Sequence, residues 1–406
     1  MKLLFCCENY PPSVGGVQEV VRQIAERLAA KGHDVTVATG LHAQRSADVL
    51  RNGVRVVSFP ISGNWVRGMV GPLDTYRQFV QKGKFDVICI KAAQQWTFDA
   101  LIDVLPSIRA RKVFIPCGFS GLYQRAYKSY FTGMPQWLRQ CDALIFYAND
   151  YQDIRFAKAL GLNAIHVLHN GADEREFTEI TDASDFRGRL GIPSGHDLML
   201  TVGTITGAKG HWEVARAFDL AQFSRPTTLL LNGNLPHRSL LGRAHASLRL
   251  LVQGRPSINT LVRRNNAQDG GRKQILLVDL PRSDVVQAFK ASDLFVFASH
   301  VEYSPLVLFE AAAAGTAFLT VPVGNAEEIV RWTGAGLVCP VPTLTNGYLK
   351  PDAHLLSREM EALMGDSKRR VELGRRGRQA FLETGFSWAE IVTSYERILM
   401  GASFSK

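Results

Sequence analysis

The feature that most constrains this chain is an alternation of two periodicities. Short apolar runs of strand length are separated by longer stretches with helical spacing. In the first part the runs are KLLFCC, DVTVAT, VRVVSF, FDVICI, KVFIP, ALIFY and AIHVL. Between the first two lies GVQEVVRQIAERLAAKGH, Gly16 to His33. There Val17, Val20, Val21, Ile24 and Leu28 recur on one helical face, and Lys31-Gly32 supplies an end. A second series starts near Leu198, with DLMLTVG, TTLLLNG, QILLVDL, DLFVFAS and TAFLTVP as strands. Repeated strand–helix–strand units predict parallel sheets covered by helices. Two series in 406 residues predict two doubly wound α/β domains with a cleft between them. Ligands of such folds bind at the carboxyl ends of the strands. The polar stretch Thr178 to Asp197 reads as a linker carrying one short helix. The expected division is therefore 1–180, 181–385 and a last helical segment, 386–406, free to return to the N-terminal domain.

Composition excludes several classes. No apolar run approaches the roughly 18 residues of a membrane span. MKLLFCCENYPP reads as a first buried strand, because Glu8 and the prolines end it too early for a signal-peptide core. The six cysteines, Cys6, Cys7, Cys89, Cys117, Cys141 and Cys339, form no C-x-x-C pair, which fits reduced thiols in a cytoplasmic protein. His166 and His169 point to opposite sides of a strand and make a poor metal pair. The net charge of +10 points to a polyanionic neighbour. With no zinc-finger spacing or RNA-binding aromatic signature, a phosphorylated ligand or an anionic membrane surface is expected rather than nucleic acid. One stretch breaks the alternation: Asn234 to Gln274 is long and basic, with eight cations against Asp269. It reads as a solvated helical excursion or as a docking element for anionic lipid or a charged acceptor. The basic run Asp366 to Phe381 reads as a solvated face.

The chemistry concentrates in HVEYSPLVLFEAAAAG, His300 to Gly315, an apolar run that holds two glutamates. Ser304 is expected to cap a helix that opens at Pro305. The amides of Leu306 and Val307 then lie unpaired in its first turn, an anion site suited to phosphate. Glu310 lies about 7–8 Å further along the axis, at roughly 1.5 Å per residue. There it either accepts hydrogen bonds from ligand hydroxyls, ribose being the right distance from a diphosphate, or is satisfied by a donor of the protein itself. Glu302 sits on the loop after DLFVFAS, as a sugar-facing carboxylate or as a solvated acid.

The Glu–seven residues–Glu spacing before an Ala-rich helix and Gly315 resembles the signature of the retaining GT-B glycosyltransferases, family 4 (glycosyl transferases group 1). PPSVGGVQ resembles that family's glycine loop. HNGADEREF (His169 to Phe177) resembles its N-G-x-D segment, and VGTITGAKGH (Val202 to His211) its phosphate loop with lysine. PVGNAEEIV follows the signature in the expected order. The resemblance implies a GT-B fold, two Rossmann-like domains with parallel sheets facing across a cleft. It implies transfer of a sugar from a UDP- or GDP-linked donor to a hydroxyl of a glycan or lipid-linked acceptor, with retention of configuration. It implies no metal or other cofactor, and work in the cytoplasm, peripherally at the inner membrane face. In that scheme Glu302 and Lys209 are catalytic. Gly15, Gly16, Thr204, Lys209, Leu280, Ser304, Pro305, Leu306 and Glu310 bind donor. Glu310 takes the ribose, Ser304 to Leu306 and Lys209 the diphosphate, and Leu280 offers backbone to the nucleobase. His211 is expected at the solvent.

The chain departs from the family pattern at three places. Thr204 stands where an arginine is frequent, which removes one phosphate contact and leaves either Lys209 to carry more of the charge or another cation, Arg282 or Arg331, to enter. Cys117 stands where histidine is frequent, and a thiol is a weaker hydrogen-bonding group. Tyr303 and Ser304 replace Gly and Phe. Thr204 and Cys117 keep open a catalytically weak scaffold that binds sugar nucleotide or glycan, and the basic excursion keeps open a peripheral membrane or nucleic-acid binder.

Overall fold

The structure is a computed structural model that describes residues 1–179, 185–233, 256–345 and 347–401. The chain divides into two compact units, Met1–Gly171 with Ser387–Lys406, and Ala172–Phe386.

The first unit contains ten strands: β1 (Lys2–Cys6), β2 (Asp34–Gly40), β3 (Asp48–Arg51), β4 (Val54–Phe59), β5 (Ser62–Asn64), β6 (Gly68–Val70), β7 (Val87–Lys91), β8 (Arg111–Ile115), β9 (Ala143–Phe146) and β10 (Ile165–Val167). Eight of them form one sheet in the order β10-β9-β8-β7-β1-β2-β4-β3. All its pairings are parallel except β3 with β4. Each expected apolar run is a strand. The strands absent from the expectation are β3, largely exposed at the sheet edge, and the separate antiparallel hairpin β5–β6. Neither carries a run of buried apolar residues, so neither has the pattern by which a buried strand is read.

The helix Gly16–Ala30 buries Val20, Val21, Ile24, Ala25 and Leu28, the stripe its periodicity predicts. The last helix, Trp388–Leu399, is capped by Ser387, whose hydroxyl accepts from the Glu390 amide at 3.3 Å and donates to the Glu390 carboxylate at 2.8 Å. It packs on Gly16–Ala30, with Glu396 bonded to Lys31 at 2.5 Å and to His33 at 2.8 Å. Tyr395 donates to the Tyr147 hydroxyl at 3.2 Å, deep in the first unit.

The second unit holds β11 (Asp197–Val202), β12 (Thr227–Asn232), β13 (Lys273–Val278), β14 (Leu294–Phe297), β15 (Phe318–Thr320) and β16 (Gly336–Val338). They form one parallel sheet in the order β13-β12-β11-β14-β15-β16. Strand β16, GLV, is not among the expected runs; of its three residues only Gly336 is buried. The order runs outward in both directions from β11 and β14, and that reversal opens a crevice at their carboxyl ends.

The boundary into this unit lies at Gly171/Ala172 rather than at 180/181. The Ala172 amide donates to Phe386 O at 3.1 Å, and Phe177 is buried in the second core. Within the expected linker, Phe186–Arg189 is a short helix whose Phe186 is also buried there. Of the basic stretch, residues 234–255 lie outside the described residues. Its remainder includes the helix Ile258–Asn266, where the Ser257 hydroxyl accepts from the Thr260 amide at 3.2 Å.

The basic helix Ser367–Glu383 is not simply a solvated face. Arg375 and Arg376 are exposed and pair with Glu372, but Arg370 is buried and donates to Leu363 O at 2.7 Å and Met364 O at 2.6 Å. Gly374 of this helix packs so closely that an added Cβ would fall 2.1 Å from Gly315 O. The Ala-rich helix Leu306–Ala314 is therefore clamped from behind. Leu308 and Phe309 sink into the core, each contributing about 1.5–3 kcal/mol.

Candidate functional site

The crevice between β11 and β14 is bounded by the loops that leave those two strands. The loop after β11 carries Thr204 and Lys209, and the loop after β14 carries Glu302. Backbone contacts stitch them together. Ala208 O accepts from the His300 amide at 2.8 Å and from the Ser299 hydroxyl at 3.0 Å. Gly210 sits at φ 75°, and a Cβ there would lie 1.9 Å from Ala298 O, so both the turn and the close approach require glycine. Gly210 caps the helix His211–Leu220, which leaves Lys209 in the loop ahead of it. The stitching brings Lys209 and Glu302 into an ion pair, with side chains 31% and 21% exposed. The Thr204 carbonyl accepts from the Thr206 amide at 2.8 Å, a turn inside the same loop.

The helix Leu306–Ala314 starts one residue later than its sequence suggests. Pro305, at φ −70° and ψ 115°, is itself the cap residue, and Ser304 does not cap, because it lies one position too early for its hydroxyl to reach the first turn. The helix has no side-chain cap, and the amides of Leu306 and Val307 precede its own hydrogen-bond ladder. A second loop fixes this entrance. Gly324 has φ 59°, and a Cβ on it would lie 2.1 Å from Tyr303 O, which also accepts from the Asn325 amide at 2.8 Å. The PVGN loop thus grips the backbone of Tyr303, so the size of that side chain is not what the contact reads.

Glu310 is 6% exposed. Its carboxylate is met by a donor of the protein: Arg282 Nη2 stands 2.7 Å from Glu310 Oε1. The same guanidinium donates to Glu176 through Nη2 at 2.6 Å and Nε at 3.0 Å. Burial opposes the Arg282 charge, yet the two carboxylates outweigh it and raise its pKa above the ordinary arginine value. Burial raises the Glu176 pKa, and Arg282 works against that rise. The departure at Thr204 is thus accompanied by a guanidinium engaged with Glu310 rather than standing free.

One backbone group proves committed, and one expected exposure is overturned. The Leu280 amide donates to Asn232 Oδ1 at 2.8 Å, so that N–H is committed within the protein. His211 is not at the solvent. It is 3% exposed, with Nε2 3.4 Å from Asn232 O, and burial lowers its pKa. Asn232, Arg282 as the partner of Glu310, and Glu176 were not singled out in these roles. A polar residue closing the apolar strand TTLLLN was the one sequence signal for Asn232.

In the first unit the strand order reverses between β1 and β7. After β1 comes the glycine loop. Gly15 is the cap residue of Gly16–Ala30, again without a side-chain cap. The loops after β7 and β8 hold Ala92, Gln94, Cys117 and Phe119 at positive φ, between 50° and 70°. Gly118 donates to Asp153 Oδ2 at 2.8 Å, and Gln152 donates to Gly118 O at 2.6 Å and Phe119 O at 2.8 Å, which holds the Cys117 turn in this conformation. Burial raises the Cys117 thiol above its ordinary pKa. At the end of β7, Lys91 is 2% exposed and hydrogen-bonded to the Tyr147 hydroxyl. All six cysteines are free thiols.

Residues 182–380 match the family Glycosyl transferases group 1, and residues 14–176 match Glycosyltransferase Family 4. D-inositol 3-phosphate glycosyltransferase of Kineococcus radiotolerans is 28% identical over 233 residues, 55% of this chain and 48% of that protein. The matched region thus spans about half the length of that relative. Among solved structures, sucrose-phosphate synthase from Thermosynechococcus elongatus superposes with a TM-score of 0.75 over 98% of both chains, at 20% identity. Anabaena HepE in complex with UDP and glucose superposes with a TM-score of 0.70 over 99% of this chain and 100% of that one, at 16% identity. These similarities show the fold: two Rossmann-like α/β domains of the GT-B type.

Proposed function

We propose, from the premise that this chain is a GT-B glycosyltransferase of group 1 with a Glycosyltransferase Family 4 N-terminal domain, that it moves a sugar from a nucleotide-sugar donor to an acceptor hydroxyl and retains the anomeric configuration. The observation that carries the reading is the crevice at β11 and β14. An ammonium, a carboxylate and an uncapped helix N-terminus converge there on loops locked backbone to backbone.

The chemistry follows from that set. The bond that breaks joins the sugar's anomeric carbon to the diphosphate, and its electron pair leaves with the phosphate oxygen. Lys209 and the amides of Leu306 and Val307 stabilise the charge that develops there, a fixed electrostatic contribution rather than a covalent one. Before donor arrives, Glu302 neutralises Lys209. Diphosphate takes over the ammonium, which releases Glu302 toward the sugar. The acceptor oxygen bonds to the same face of the anomeric carbon, and its proton passes to the leaving phosphate. Glu302 and Glu310 are not a hydrolytic acid–base pair, since that role requires carboxyls flanking the scissile bond. Lys209 and the helix N-terminus supply the leaving-group stabilisation in this scheme without a metal ion.

A UDP-linked donor is favoured by the fold shared with HepE, solved with UDP and glucose. The net charge of +10, and a relative named for an inositol phosphate, favour a phosphate-bearing or lipid-linked acceptor at an anionic membrane surface. No helix among the described residues is long and apolar enough to cross a membrane. The test is a panel of UDP-, GDP- and ADP-sugars read by thermal shift and nucleotide release. Wild type is stabilised by one nucleotide class, and Lys209→Ala and Glu310→Ala lose that response. The reading is sunk if no nucleotide stabilises wild type, or if both variants bind as well.

A further inference from the structure

The site contains a charge arrangement whose role the donor reading leaves open. Three groups from distant parts of the second unit converge: Glu176 on the helix Glu174–Glu179, Arg282 at the start of the helix Arg282–Ala291, and Glu310 on Leu306–Ala314. The guanidinium is shared, with Nη2 2.7 Å from Glu310 Oε1 and 2.6 Å from Glu176 Oε2, and Nε 3.0 Å from the same Glu176 oxygen. Glu310 is 6% exposed, whereas the Arg282 side chain is 42% exposed. The carboxylate is therefore fixed in a packed helix, and the arginine reaches it from the solvent side.

A buried carboxylate flanked by Val307, Leu308 and Phe309 is costly to keep ionised without a counter-ion. A carboxylate free to rotate is also a poor reader of a hydroxyl pair, since each conformer offers a different oxygen. Arginine removes both problems. It is always charged, and its Nη2 pins one oxygen of Glu310, Oε1, while Nε and Nη2 together hold Glu176. Bonding to Glu176 fixes the fork itself, by two of its nitrogens. This differs from a surface ion pair of two mobile chains, because the guanidinium has partners on two elements and the carboxylate between them is buried.

Resting on the donor reading above, we infer that Arg282 is a positioning residue for nucleotide selection. It holds Glu310 by one oxygen and presents the other to the ribose hydroxyls, and Glu176 sets the angle of Arg282. The substrate class it selects is the ribonucleoside diphosphate sugar over its deoxyribose counterpart. Arg282 acts through Glu310 and does not need to touch the sugar that is transferred.

Binding of UDP, 2′-deoxyuridine diphosphate and 3′-deoxyuridine diphosphate by calorimetry tests this on the full chain, with GDP and its 2′-deoxy form in parallel. Wild type is expected to prefer the ribonucleotide at least ten-fold. Arg282→Gln brings that ratio to within about two-fold of unity, with the main loss in ribonucleotide affinity. Arg282→Lys restores part of the ratio, because it returns charge without the fork. Glu176→Gln, which keeps the guanidinium, lowers the ratio less than Arg282→Gln. A merely structural arginine would lower the melting temperature and weaken all the nucleotides by one factor, leaving the ratio intact. That result overturns the inference while the donor site stands. Wild type that binds ribo- and deoxyribonucleotides equally also overturns it. Failure of wild type to bind any of these nucleotides removes the donor reading together with the inference.

Discussion

The two units solve the same topological problem with different side chains. Each has a parallel sheet whose strand order reverses once, at β1/β7 in the first and at β11/β14 in the second. At the second reversal the charged groups are paired with opposite charges: Lys209 with Glu302, and Arg282 with Glu310 and Glu176. At the first, the lysine that ends β7 is buried against the Tyr147 hydroxyl, with Cys7, Cys89 and Cys117 nearby, and burial lowers its pKa. The second crevice stores charge that an anion can redistribute. The first holds a lysine under pressure to give up its charge, beside loops with four non-glycine residues at positive φ. The charge pairs of the second unit fit the phosphate-handling role proposed for it, whereas the switch point of the first is marked by a buried lysine and strained loops.

The largest effect expected from breaking that contrast is at Lys209. Lys209→Ala should slow nucleotide release from the donor by about 10²–10³-fold, the size of losing one fixed stabiliser of a developing anion. Steady-state kinetics with a coupled nucleotide assay measures it, and a loss below ten-fold would place the phosphate elsewhere.

Gly324→Ala comes next. The new methyl meets Tyr303 O in a left-handed turn, so the variant should lose about 1–3 kcal/mol of stability, together with donor binding. Denaturant unfolding and nucleotide titration should change together. Stability lost with binding retained would uncouple the PVGN loop from the site.

A smaller effect is expected in the first unit. With the Lys91 pKa below its usual 10.5, the unfolded chain binds more protons than the folded one across the interval between the two values. The Lys91 contribution to stability therefore rises with pH up to about 10.5 and is least favourable below the folded value. Lys91→Met should remove this dependence and gain about 1 kcal/mol over wild type at neutral pH, with the difference shrinking toward pH 10.5. Unfolding of both proteins across pH isolates this group. A constant difference would mean that Lys91 stays charged.

The smallest effect concerns the thiols. Burial pushes Cys6 and Cys7 up to about 12 and also raises Cys89, Cys117 and Cys141. Native protein should therefore resist iodoacetamide at pH 7.5 for hours, as followed by intact mass. Rapid labelling at Cys117 would show that its turn opens.

Much of the fold was legible because buried parallel strands are apolar on both faces. Every long run in the sequence became a strand, and β4 matches its run VRVVSF at both ends. Strand β3 and the hairpin β5–β6 escaped because their exposed residues have no pattern to betray them, and β16 because a glycine is the only buried residue of its three. The motif order placed Lys209, Glu302 and Glu310 as candidates. It also put a cap on Ser304 and solvent around His211, both of which the structure corrects. Those two errors have one origin: each depends on which groups lie opposite in the fold, and that is not written in local spacing.

What the sequence determined by itself was periodicity and composition: parallel sheets in two series, and a glutamate-bearing helix that opens after a proline. Both follow from interactions over a few residues, where an apolar side chain or a proline acts on its own neighbours. What only the tertiary structure decided was who meets whom. Lys209 and Glu302 are 93 positions apart, and Arg282 and Glu176 are 106 apart. They meet because adjacent strands β11 and β14 deliver their loops to one crevice, and because helices from three segments pack on one core. The energy that fixes those pairs comes largely from burial elsewhere, so the charges themselves carry no local trace of their partners.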